Sequence, residues 1–74
     1  MTTTERILDD ITDLHTRIDY LFAPNDTGFG KGFRAILQHA ENDAKDFAWQ
    51  TATEMIAVVS ELLGIMEQTI EDDA

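Results

Sequence analysis

Two histidines, a lysine set among glycines and a dense population of carboxylates are the side chains of this sequence with some prospect of chemistry. His15 and Asp19 are one helical turn apart, as are His39 and Asp43. An imidazole and a carboxylate on one helix face make half of a zinc site, and two such halves could make a whole one. Nothing in the sequence brings the two pairs together, and neither carries the Glu-x-x-His pattern of di-iron bundles. They read as solvated polar residues, so no metal and no cofactor is expected. Gly28-Phe29-Gly30-Lys31-Gly32 offers amides and an ammonium of the kind that cradle phosphate. The context is wrong, because no strand pattern precedes the glycines and no Ser or Thr follows the lysine. The segment reads as a helix connector, with Phe29 plugging the end of a bundle or, as the less favoured alternative, standing as an exposed contact residue. Two histidines on helix faces do not make a Ser–His–Asp arrangement, and no pair of buried carboxylates is indicated. The absence of cysteine excludes disulfides, thiolate metal sites and thiol nucleophiles. No enzymatic activity is expected.

The carboxylates carry more information. Glu5, Asp9 and Asp13 form an i, i+4 row, and Glu54, Glu61 and Gln68 form a seven-residue stripe. Glu67, Glu71, Asp72 and Asp73 crowd the end. Like charges one turn apart repel, and acids at a helix C-terminus oppose its dipole. Such costs are expected where binding overrides stability, and equally of a solubilising surface. The net charge is −10 with a pI near 4.2. It is unevenly spread: residues 35–74 hold nine acids against Lys45 alone, whereas residues 23–34 are slightly basic. Binding to a nucleic-acid backbone requires the opposite sign. Attraction to a basic protein surface fits. Trp49, about one residue off the main apolar seam, is either the edge of the core or an interface anchor.

These side chains must be positioned by helices. Ile7, Ile11, Leu14, Ile18 and Leu21 recur at alternating spacings of four and three, a heptad seam that predicts a helix over residues 3–22. Thr2 and Glu5 fit a capping box at its start, and Asp13 can reach Arg17 along it. Pro24 ends it. A glycine-rich loop over residues 23–32 follows. From Phe33 the seam continues through Leu37, Ala40, Ala44, Ala48, Ala52, Met55, Val59, Leu62, Met66 and Ile70. Residues 33–71 are therefore one helix or a helix pair, and a break near Glu41-Asn42-Asp43 gives the more compact chain. The fold class is all-α, a small helical bundle forming a single domain over residues 1–74.

The stretch Met55–Met66 is apolar nearly all round, and such a helix must be surrounded. Ser60 and Gly64, four apart, would let another helix approach closely. Met55, Ile56, Val59, Leu62, Leu63 and Met66 are thus expected to mediate self-association, completing the bundle as a homodimer. A domain this short, lacking disulfides, gains from such a step. The leading expectation is a non-enzymatic helical module acting by protein–protein interaction, with Glu5, Asp9, Asp13, Trp49, Glu54, Glu61 and Glu67 facing the partner. The alternative is an acidic nucleic-acid mimic that occupies the basic groove of a DNA- or RNA-binding protein. In composition alone it resembles small phage-encoded inhibitors of host defence. No apolar run is long enough to span a membrane, and the opening residues lack a signal core, so the cytoplasm is the expected compartment.

Overall fold

The computed structural model describes residues 2–73; Met1, Ala74 and the side chain of Asp73 lie outside the described residues. Three helices follow one another: α1 (Thr3–Leu21), α2 (Phe29–Lys45) and α3 (Trp49–Asp73), with no strand among the described residues. Helix α1 starts where its sequence says it should. The Thr2 hydroxyl accepts from the Glu5 amide at 3.1 Å, and the Glu5 carboxylate reaches back to the Thr2 amide. Ile7, Ile11, Leu14 and Ile18 are all buried, so its heptad seam is its core face.

The connector is shorter than expected. Helix α2 begins at Phe29, so Gly30, Lys31 and Gly32 lie inside it, and the irregular segment ends at Gly28. Asp26 makes this early start possible: its carboxylate accepts from the amides of Gly28 at 3.1 Å and Gly30 at 2.8 Å. An anion on the orphan amides of a first turn favours the helix through both the hydrogen bonds and the dipole.

The second half is a helix pair, but the break falls beyond Glu41-Asn42-Asp43. Ala40 and Ala44 flank that triplet and are both fully buried, so packing holds the helix through residues that locally favour a turn. The chain turns at residues 46–48. There the Phe47 amide donates to the Ala44 carbonyl at 3.2 Å and the Ala48 amide to the Asp43 carbonyl at 2.8 Å. These are the two bonds of a Schellman ending, which requires a left-handed residue that is usually glycine. Here it is Phe47, with φ at +65°. For an L-residue that conformation costs about 1–2 kcal/mol.

Each helix packs against the other two. The shared core is Ile7, Ile11, Leu14, Ile18, Phe33, Leu37, Ala40, Ala44, Ala52, Val59 and Leu63. Full burial of Ile18, Leu37, Val59 and Leu63 contributes roughly 1.5–3 kcal/mol for each side chain. Buried alanines at positions 40, 44 and 52 let α2 and α3 approach closely. At about 1.5 Å per residue, α3 is some 37 Å long, against some 28 Å for α1. Helix α3 is thus nearly as long as the molecule's longest extent, 40 Å. None of the helices is long and apolar enough to cross a membrane, among the described residues.

Candidate functional site

The face of α3 turned away from α1 carries a second apolar stripe. Thr51, Met55, Val58, Leu62, Ile65 and Thr69 repeat at spacings of four and three, the period of a coiled-coil seam, and include no charge. Val58 is 52% exposed, Leu62 42% and Ile65 57%. Two side chains of α2 extend this stripe into a wider surface. Ile36 lines a groove with Thr51, Glu54, Met55 and Val58, and Phe29 lines another with Phe33, Leu62, Ile65 and Met66. Phe29 does not plug the bundle end as expected. It is 70% exposed and stacks on Phe33 with ring centroids 6.4 Å apart.

The residues expected to mediate self-association divide between two surfaces. Val59 and Leu63 are fully buried in the chain's own core, while Met55, Ile56 and Met66 are half-buried against it and Leu62 is exposed. The apolar arc of α3 is wider than the core that α1 and α2 supply. The seam read from the sequence meets the core beyond the turn at Ala52 and Val59 and departs from it at Leu62, where the buried side chain is Leu63. Phe29 takes the second of its two expectations, an exposed contact residue, and Val58, Ile65 and Ile36 are not among the residues expected to meet a partner. Their signal was a second seam running beside the first with the same period.

Ser60 and Gly64 face α1 of the same chain. Arg17 fills the notch they leave, with Nη1 donating to the Ser60 hydroxyl at 3.3 Å and Nη2 close to Gly64. Arg17 also pairs with Glu67, donating Nε–H to its carboxylate at 3.0 Å. The expected Asp13–Arg17 pair along α1 gives way to this link between helices. Glu67 is therefore tied to its own chain.

Glu5, Asp9 and Asp13 are all exposed on α1, and Glu54 and Glu61 on α3. Asp13, with Asp10, borders the cleft between α1 and α3, whereas Glu54 borders the groove shared with α2. His15, half-buried on α1, and His39, exposed on α2, join no group of three or more potential metal ligands among the described residues.

Trp49 opens α3 beside the turn and is 40% exposed. Its Nε1–H donates to the Thr4 hydroxyl at 2.9 Å, and that hydroxyl donates to the Ala44 carbonyl at 3.3 Å. Trp49 is thus hydrogen-bonded to the start of α1 and, through Thr4, linked to the end of α2. Phe47, 72% exposed, meets it edge to face with centroids 5.9 Å apart and an interplanar angle of 83°. No glycine or asparagine marks Phe47 as left-handed in the sequence, so this corner was not foreseen.

These features describe a small all-helical protein with an uncharged apolar surface between α2 and α3 and an aromatic corner at one end. Comparison of the chain with family models, with curated proteins and with solved structures finds no match.

Proposed function

We propose that this chain is a non-enzymatic interaction module that pairs with a second copy through the α2–α3 apolar surface and presents its acidic outer faces to a protein partner. The observation that carries this reading is the exposed stripe Val58, Leu62 and Ile65, edged by half-buried Met55 and Ile36 and continued by exposed Phe29. Contiguous apolar surface of this kind on a small domain marks an association site. A second copy suits it because a two-fold axis sets the same patch against itself. An uncharged seam is what two chains of net charge −10 need where they meet. Glu54 and Glu61 flank the stripe and stay solvated at its rim.

Sedimentation at tens of micromolar is expected to give about twice the 8.3 kDa chain mass. Val58→Asp with Leu62→Asp should yield a helical monomer, since neither side chain completes the chain's own core. A monomeric wild type, or a dimeric double variant, would falsify the reading. A nucleic-acid mimic, the second reading, would draw on the exposed α1 row of Glu5, Asp9 and Asp13. Neutralising Glu5, Asp9 and Asp13 together tests it: affinity for a basic partner should collapse and its steep salt dependence should disappear.

A further inference from the structure

The turn between α2 and α3 places a bulky residue where the backbone prefers glycine and then leaves its side chain in water. Phe47 adopts φ +65° and sits largely exposed, so neither burial nor backbone preference accounts for it. Strained residues of this kind persist where the side chain serves something other than folding. The neighbouring indole is preorganised. Trp49 is anchored through Thr4 to both other helices, which fixes its ring before any ligand arrives. An edge-to-face pair covers one ring face and leaves others open, and the faces of aromatic rings are electronegative. Charges of both signs lie near in the chain, with Arg6 beside Glu5 in the first turns of α1. Asp46 is exposed next to Phe47, and Glu5 is exposed in the turn of α1 that carries Thr4. Lys45, the nearest cation in sequence, is held 3.1 Å from Glu41.

We propose that Phe47 and Trp49 form a contact site for an arginine or lysine side chain of a partner protein, with the neighbouring Asp46 supplying the countercharge. This deepens the binding role proposed above but uses no residue of the α2–α3 surface.

Trp49 is the sole tryptophan, so its emission reports on the corner directly. The probe is a blocked pentapeptide carrying arginines at its second and fourth positions, compared with the same peptide carrying neutral citrulline there. At about 0.15 M salt, where attraction to the distant charges is largely screened, the arginine peptide should change the emission saturably. The citrulline peptide should bind about two- to fivefold more weakly, the discrimination expected of an exposed cation–π contact. Phe47→Gly removes the ring and suits the left-handed turn. It should melt at or above the wild-type temperature and lose affinity by a similar factor. Asp46→Asn should weaken binding while preserving the fold.

Equal binding of the two peptides would overturn the proposal, and so would unchanged affinity in Phe47→Gly. A Phe47→Gly protein that melts well below wild type would assign Phe47 to the fold instead. Emission that shifts with protein concentration alone would assign the corner to a second copy. Failure here is distinguishable from failure of the dimer: Leu62→Asp should leave peptide affinity intact, and Phe47→Gly should leave the sedimenting mass intact.

Discussion

Gly30 and Gly32 are two residues apart on α2 and have opposite reasons for being there. A Cβ on Gly30 would lie 2.8 Å from Phe22 Cβ and 2.9 Å from Asp26 Oδ2, so alanine cannot enter without moving the α1–α2 connection. Gly30→Ala is expected to cost about 1–3 kcal/mol, the usual effect of overpacking. Around Gly32 there is nothing within 4 Å. Gly32→Ala should stabilise α2 by about 0.5–1 kcal/mol, through helix propensity and reduced unfolded-state entropy. Urea unfolding of the two variants is the check, and equal effects would contradict the packing around Phe22. Asp26 belongs with Gly30. Its carboxylate holds two amides of the α2 start, and Asp26→Ala should lose about 1–2 kcal/mol in the same assay.

Among the elements, α3 decides how the molecule behaves, because it carries two apolar stripes and α1 and α2 together cover only one. Leu62 and Leu63 adjoin in sequence and lie on different stripes. Leu63→Ala removes a fully buried side chain at a cost of about 2–5 kcal/mol, much of the stability a domain of this size has. Leu62→Ala should leave the helical content of the dilute chain unchanged and weaken self-association. Circular dichroism at low concentration, followed by sedimentation at high concentration, separates the two effects. Loss of helicity in both variants would mean that the outer stripe is needed for the single chain to fold. The Arg17–Glu67 tie sits on the other side of α3, with both side chains about one-third exposed. An ion pair so placed contributes no more than about 1 kcal/mol. It orients α3 against α1, and the apolar core holds the two together.

For the molecule as a whole, charge is the largest unbalanced quantity. Arg17, Arg34 and Lys45 are each paired with a carboxylate, yet the chain keeps a net charge of −10. Self-repulsion of that size opposes the compact state, and salt relieves it, since the Debye length falls to about 10 Å at 0.1 M and about 3 Å at 1 M. The melting temperature should therefore rise between about 0.01 M and 0.5 M sodium chloride. Each kcal/mol gained would appear as roughly 4–8 °C. Self-association should strengthen over the same range, because two like-charged bodies are brought together, while binding to a basic partner should weaken. Opposite salt slopes for the two events are the signature expected; slopes of the same sign would mean that one surface serves both.

The sequence by itself determined what depends on near neighbours in the chain. The capping box of Thr2 and Glu5, the seam from Ile7 to Ile18 and the helical character of residues 33–71 all rest on spacings of three or four residues, which local geometry reads directly. Only the tertiary structure decided which apolar stripe of α3 faces inward, because periodicity gives the direction of a stripe and not how much of it the neighbours can cover. It also set the turn at Phe47 in place of Glu41-Asn42-Asp43, since burial of Ala40 and Ala44 outweighs the weak turn preference between them. Arg17 had several carboxylates within reach and chose Glu67, which is distant in sequence, where exposed ion pairs differ by too little energy for spacing to select one. The rotation of α3 about its own axis, fixed by what it buries, sets Glu54 beside the groove shared with α2, while Asp10 and Asp13 border the cleft between α1 and α3.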